Sequence, residues 1–174
     1  MSPITLRPVT GSDLAAITAI YSHHVQHGSG SFELEPPSAA EMQSRIAAIT
    51  TAGYPYWVAV RGNEVLGYAY ANHFRTRPAY RFTVEDSIYV APTAIGQGVG
   101  RALLERLIEV CTEQGFRQML AVIGDSDNTA SIAVHRGCGF VHTGKMSQVG
   151  WKFGRWLDIV LMQRELGVGG TREP

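Results

Sequence analysis

From Asp86 the chain runs Asp-Ser-Ile-Tyr-Val-Ala-Pro-Thr-Ala-Ile-Gly-Gln-Gly-Val-Gly-Arg-Ala-Leu-Leu, a β-rich run that passes through a glycine loop straight into a helix. That order of elements builds an anion site. Gly96, Gly98 and Gly100 have no Cβ, so main-chain N–H groups from Gly96 through Gln97 and Val99 to Arg101 can converge on one anion, and the positive end of the helix dipole points at the same place. A pyrophosphate suits such a cradle, and a simple connecting turn is the alternative reading. A nucleotide-kinase loop would need Gly-Lys-Ser/Thr, but Gly100 is followed by Arg101 and Ala102. A dinucleotide fold would need a third glycine three residues after Gly98, where Arg101 stands, and an opening βαβ unit, which the sequence lacks.

Two carboxylates precede the loop. In Thr83-Val-Glu-Asp-Ser-Ile-Tyr-Val90, strand alternation places Glu85, Ser87 and Tyr89 on one face and Val84, Ile88 and Val90 on the other. A carboxylate in a half-apolar strand is costly unless paired or functional, which makes Glu85 a general-base candidate, with a solvent-facing Glu as the alternative and Asp86 as the rival carboxylate. Further on, His135 sits near a helix end marked by Gly137 and Gly139, where it can supply a proton near neutral pH or simply answer the helix dipole. Arg75 and Arg77 lie in a polar loop, as an anion grip or as solvated charges. His23 and His27 are one helical turn apart, but with no Glu between them and no third ligand in the pattern, a metal is not expected. Cys111 belongs to the buried side of its helix and neither cysteine reads as a nucleophile, so direct transfer is favoured over a covalent intermediate on the enzyme.

These residues need elements to hold them. Ile4 to Pro8 reads as a first strand, and Ser12-Asp13 as N-cap candidates for a helix with Leu14, Ile17, Ile20, Tyr21 and His24 on one side. Ser38 with Glu41 opens a second helix that ends at Gly53. Tyr56–Val60 and Val65–Asn72 flank Arg-Gly-Asn-Glu as a β-hairpin, and Thr83–Val90 is the fourth strand. The helix after the loop carries Val99, Leu103, Leu107 and Val110 as its apolar stripe. Met119–Ile123, a helix over Asn128–Arg136, and strands over about Val141–Val149 and Arg155–Arg164 complete one α/β domain, expected at residues 1–166, with a loose tail at 167–174.

Lys plus Arg and Asp plus Glu both number 15, so no net field draws the chain to nucleic acid or acidic membranes. Two isolated cysteines suit a reducing cytoplasm, and no apolar run approaches the ~18 residues of a membrane span or forms an export signal. Trp151, Phe153 and Trp156 read as core or subunit-contact residues rather than a platform for bases.

The Gly98-Val-Gly100 turn resembles the acyl-coenzyme A loop of the GCN5-related N-acetyltransferases, with Ile95 where Gln or Arg is customary. The order β-α-α-β-β-β-α-β-α-β-β is also that family's, which implies a mostly antiparallel seven-stranded sheet whose fourth and fifth strands splay around acetyl-coenzyme A. Asn128-Thr-Ala-Ser-Ile-Ala-Val-His-Arg-Gly-Cys-Gly-Phe140 keeps the family's helix pattern but has His135 in place of tyrosine. That histidine, with Ser31-Phe32-Glu33, Phe74 to Glu85 and Gln148 to Asp158, is similar to the subgroup of phosphinothricin and methionine sulfoximine acetyltransferases.

The resemblance implies a metal-free, homodimeric enzyme that acetylates a small amino-acid-like amine in a ternary complex. Glu85 would be the base and His135 or Tyr89 the proton donor to the thiolate, with Tyr89 also placed to orient the amine or thioester. Ile88, Tyr89, Val90, Gly96 to Arg101 and Asn128 would hold acetyl-coenzyme A. Arg75 and Arg77, with Lys152 as a helper, would grip the acceptor's anionic groups, and Phe32 and Tyr80 would wall its carbon chain. An acetyltransferase for protein N-termini or polyamines, and a coenzyme A-binding module without turnover, are the competing readings.

Overall fold

The computed structural model describes residues 3–174. In chain order the elements are β1 (Thr5–Pro8), α1 (Leu14–His27), α2 (Ala39–Thr51), β2 (Tyr56–Arg61), β3 (Glu64–His73), β4 (Thr83–Val90), α3 (Val99–Glu113), β5 (Gln118–Gly124), α4 (Thr129–Gly137), β6 (Val141–Lys152) and β7 (Arg155–Glu165). The seven strands form one sheet in the order β1-β2-β3-β4-β5-β7-β6. Every neighbouring pair is antiparallel except β4 and β5, which run parallel.

The β4–β5 pairing is short. It runs from Thr83 opposite Gln118 to Asp86 opposite Ala121 and then stops, although both strands continue, to Val90 and Gly124. β4 stays paired with β3 as far as Val90 opposite Gly67, and β5 with β7 as far as Gly124 opposite Ile159. Each strand is therefore held by its outer neighbour while the inner edges part, which opens a gap in the middle of the sheet.

Alternation along β4 assigns the two faces of the sheet. Tyr89 meets Tyr21 of α1 edge to face, with ring centroids 5.0 Å apart. On the opposite face Val90 lies so close to the start of α3 that a Cβ on Gly100 would stand 3.5 Å from its Cγ2. Ile17 and Val25 of α1 and Leu103, Leu104 and Leu107 of α3 are essentially inaccessible, each worth ~1.5–3 kcal/mol of burial. The α3 stripe thus runs through Val99, Leu103, Leu104, Leu107 and Cys111, and Val110, expected on it, is only partly buried. A helix stripe is wider than one row, so Leu104 and Cys111 close the face that Val110 leaves.

Two helix starts are sharper than the residue pattern suggested. A 3-10 turn over Gly11–Asp13, capped from Thr10, precedes α1. Asp13 is buried there, takes both arms of the Arg7 guanidinium (2.8 and 2.7 Å) and accepts from the Thr10 N–H, which holds its carboxyl below the usual range. Ser38 does cap α2, accepting from the Glu41 N–H at 3.2 Å. Asn128 stands outside α4 as its N-cap, its Oδ1 accepting from the Ser131 N–H at 3.3 Å. After β7, two successive turns over 166–171 are closed by Gly169 N–H to Leu166 O and Thr171 N–H to Val168 O. Trp151, Phe153 and Trp156 at the β6–β7 hairpin are all more than half exposed, so the core reading does not hold for them.

Candidate active site

A cavity of about 730 Å3 occupies the β4–β5 gap and continues to the start of α3. Its floor is Asp86 to Val90 on one side and Ala121 to Gly124 on the other. Gly98, with φ +80, turns the chain into α3, a conformation that costs an L side chain ~1–2 kcal/mol. The first helical bond there, Ala102 N–H to Gly98 O at 3.0 Å, leaves the N–H groups of Val99, Gly100 and Arg101 free at the positive helix end. Gly96, Gly98, Val99, Gly100 and Arg101 all line the cavity. That cradle fits a diphosphate, and the gap beyond it fits the narrow arm of a coenzyme A.

Gln97 does not line it. Its amide is spent on the turn itself, donating to Thr93 O (2.8 Å) and accepting from Arg61 Nη2 (2.9 Å).

Ile88, Tyr89, Val90 and Asn128 line the cavity, and so does a residue the sequence reading did not place at the site, His24 of α1. Ala91 N–H bonds Leu66 O of β3, so the pleat turns the main-chain groups of Val90 and Ile88 toward the gap. The Val90 carbonyl is taken by His24, whose Nε2–H donates at 2.8 Å. Burial lowers the His24 pKa below its ordinary value, with the Val90 bond opposing, and the neutral ring ties α1 to the rim of the gap. The available signal was a histidine four residues after buried Ile20 on an apolar helix face.

Glu85 and His135 stand on opposite faces. Glu85 shares the α1 face with Tyr89 and sits one residue before the strands part. Its carboxyl is pushed above the usual range by burial and then by neighbouring Asp86, with Arg75 opposing both. Tyr89 belongs to a packed row of phenols, with Tyr21 at 5.0 Å and Tyr68 at 5.3 Å, and burial carries its pKa well above ordinary. It is a neutral hydroxyl at physiological pH, protonated and able to donate.

On the α4 face, His135 Nδ1 lies 2.8 Å from Ser131 O and Nε2 lies 3.0 Å from Asp86 Oδ2. Both residues line the cavity. Desolvation lowers the His135 pKa, but the bond and charge of Asp86 outweigh it and the net shift is upward. Asp86, read from sequence as a rival base, is thus the partner of the histidine on the far side of the strand from Glu85.

The acceptor residues are less closely gathered. Arg75, Arg77 and Tyr80 are exposed in the β3–β4 connection, where Arg75 lies 5.0 Å over the Phe74 ring and Tyr80 packs edge-on against it at 5.6 Å. Arg75 reaches the site through its field on Glu85, and Arg77 caps the Pro78–Tyr80 turn. Phe32 packs where Gly124 and Gly150 offer no side chain: a Cβ on Gly150 would lie 2.3 Å from its ring.

Lys152, expected to touch substrate, is placed otherwise. It is 4% exposed, and its ammonium donates to Gly28 O (3.0 Å) and Ser31 O (2.7 Å). It clamps the loop whose Gly28, Ser29 and Gly30 wall the cavity. Among the described residues, no group of three or more His, Cys, Asp or Glu is arranged to hold a metal ion, and no helix is long and apolar enough to cross a membrane.

Comparison with known proteins gives this geometry a family. The profile of the Acetyltransferase (GNAT) family matches residues 17–140. Phosphinothricin N-acetyltransferase of Alcaligenes faecalis is 57% identical over 170 residues, covering 98% of this chain and 86% of that protein. L-methionine sulfoximine/L-methionine sulfone acetyltransferase of Salmonella typhimurium is 40% identical over 163 residues, covering 94% of each. The crystal structure of a phosphinothricin acetyltransferase from Sinorhizobium meliloti in complex with acetyl-coenzyme A superposes with a TM-score of 0.95 at 51% identity, over 98% of this chain and 92% of that one. A match over most of the chain, joined to a parted β4–β5 pair and a free-amide cradle at α3, places the chain in the acetyltransferase (GNAT) family as an acetyl-coenzyme A-dependent N-acetyltransferase.

Proposed function

We propose that the protein acetylates the α-amino group of a small amino acid of the phosphinothricin, methionine sulfoximine or methionine sulfone type, by direct transfer in a ternary complex. The observation that carries this reading is the placement of a desolvated carboxylate, Glu85, and a carboxylate-bound imidazole, His135, on opposite faces of one strand at the point where the sheet opens. The named relatives supply the acceptor class.

Bound acetyl-coenzyme A supplies an acetyl group activated as a thioester. The N–H groups of Val99, Gly100 and Arg101 hold the diphosphate, Asn128 and the walls of the gap confine the arm, and gap-facing N–H groups of Ile88 and Val90 polarise the carbonyl. An α-ammonium with a pKa near 8 is only about one-tenth neutral at pH 7, so Glu85 takes its proton, directly or through one water. A carboxyl raised toward neutrality is the better base for that task. His135 Nε2 holds a proton for the departing sulfur, and Tyr89 orients the amine from the α1 face. Arg75 faces the acceptor carboxylate beside Glu85, with Arg77 and Tyr80 on the same connection.

A thiol-release screen across amino acids, amines and peptides tests the acceptor class. Turnover confined to glutamate- and methionine-derived analogues supports it, and preferential turnover of polyamines or peptide N-termini replaces it. We also place the enzyme in a reducing cytoplasm, where Cys111 and Cys138 stay as free buried thiols, and assign it no metal, so a chelator leaves turnover unchanged. Two copies pair across the exposed Trp151, Phe153 and Trp156, which light scattering reads as a mass of twice 19.0 kDa. A monomer at micromolar concentration excludes that pairing.

A further inference from the structure

We infer that Asp86 is a positioning residue for acetyl transfer: it fixes the ring of His135 in one orientation and keeps that ring's second proton on Nε2. This rests on the reading of His135 as the group that meets the departing thiolate, and it assigns the histidine's competence to a residue on another element.

The hydrogen bonds settle where the protons are. Ser131 O can only accept, so His135 Nδ1, 2.8 Å away, carries hydrogen. A neutral ring would then turn a bare Nε2 lone pair toward Asp86 Oδ2 at 3.0 Å, and two acceptors do not bind each other. One more proton therefore lies between Nε2 and Oδ2. The side chains are 5% and 2% exposed, so water does not replace the bond.

Of the two groups the imidazole is ordinarily the stronger base, so that proton belongs to the ring, and the bond and charge of Asp86 raise the ring's pKa further. Asp86 Oδ1 is buried and has no partner among the described residues, so His135 alone compensates the carboxylate. From α3, Cys111 faces Asp86 with its thiol pushed up to about 12 by burial and by that carboxylate, and so stays neutral. Cys138, at the end of α4, is also pushed up by burial, and Arg101 and Glu105 beyond it bond each other at 2.8 Å. From the far face of β4, Glu85 adds a like charge and Arg75 partly offsets it. Phe140 covers the ring edge-on at 5.0 Å and contributes no charge. Among the described residues, no cation other than the imidazolium is bonded to Asp86.

In the reaction, the amine nitrogen, its first proton already lost through Glu85, bonds the acetyl carbon and sheds a second proton to solvent; the acyl–sulfur bond breaks with its electron pair on sulfur, and the Nε2 proton leaves its bond with Asp86 Oδ2 for that thiolate. His135 is left neutral with Nδ1–H still on Ser131, and Nε2 regains a proton from solvent after the thiol leaves. Asp86 makes that recharging favourable at pH values where a free imidazole would stay neutral.

The test is Asp86→Asn, read by nitrogen NMR of the histidine rings and by the pH profile of kcat. The His135 resonances are assigned by their loss in His135→Gln. The wild-type ring is expected to titrate above the ordinary ~6.5, and in Asp86→Asn the value falls by ~1 unit or more. The alkaline limb of the kcat profile moves down with it, and kcat at pH 8 drops ~10-fold while the KM for acetyl-coenzyme A changes less than ~2-fold. A wild-type value at or below ~6.5 overturns the inference even if the variant fails to fold. So does an unchanged His135 titration in a folded Asp86→Asn. Full turnover of His135→Gln would instead sink the role of the histidine itself, a separate failure.

Discussion

Replacing Lys152 with methionine separates two roles that the sequence could not tell apart. If the lysine grips an anionic acceptor, its loss raises the acceptor KM and leaves stability alone. The structure assigns it to the Gly28–Ser31 loop instead, through two charge-assisted bonds of 3.0 and 2.7 Å to main-chain oxygens. Each such bond contributes ~1.5–3 kcal/mol, and burying the ammonium takes back part of that, as its burial-lowered pKa indicates. Methionine keeps most of the stem but strands both carbonyls, so a net loss of about 2–3 kcal/mol is expected. For a domain of this length that is a fall of roughly 4–12 °C in Tm, measurable by calorimetry. The loop walls the coenzyme cavity, so the KM for acetyl-coenzyme A should rise alongside. An unchanged Tm together with a raised acceptor KM would refute the clamp.

Three other expectations follow from the same geometry. Glu85→Gln should lower kcat at pH 7 by at least ~10-fold, and a raised carboxyl pKa means that its ionisation opposes folding, so Tm should equal or exceed wild type; full activity would remove Glu85 from the role. Gly98→Val forces a β-branched residue to φ +80, costs ~1–3 kcal/mol and spoils the cradle, so calorimetric affinity for acetyl-coenzyme A should fall at least ~10-fold, and unaltered affinity would contradict it. His135 has a raised folded pKa, so its ion pair stabilises fully below ~6.5 and this is lost as pH rises through the raised value. The Tm gap between wild type and His135→Gln should therefore narrow from pH 6 to pH 9, and a widening gap would reverse the sign.

What could be read in the residues and what could not divides along physical lines. β4 is bounded as alternation predicted, Thr83 to Val90, because both its ends are marked by turns and Thr83, Val84, Ile88, Tyr89 and Val90 are strand formers on either side of the polar Glu85–Ser87. The glycine loop and helix start were equally legible, since only a few residue types tolerate φ near +80°. The partner of a long flexible side chain was not: Lys152 reaches back more than 120 positions to Gly28, a contact no local pattern encodes. Asp86 was read only as the rival carboxylate to Glu85, for the opposite reason. It interrupts the apolar row of Val84, Ile88 and Val90, and the signal of a buried partner was there, but naming His135 as that partner needed α4 to be folded over the sheet. The aromatic hairpin was legible as a cluster but not as exposed, because exposure in one chain depends on what the rest of the sheet leaves uncovered.

Hydrogen–deuterium exchange with and without acetyl-coenzyme A tests the coenzyme site most directly. Binding in the β4–β5 gap should slow exchange in peptides covering residues 88–90 and 98–101, where the N–H groups of Ile88 and Val90 face the gap and those of Val99, Gly100 and Arg101 form the α3 cradle, while the outer part of the β6–β7 hairpin is unaltered. Unchanged exchange at the start of α3, or protection confined to surfaces away from the gap, would contradict the account.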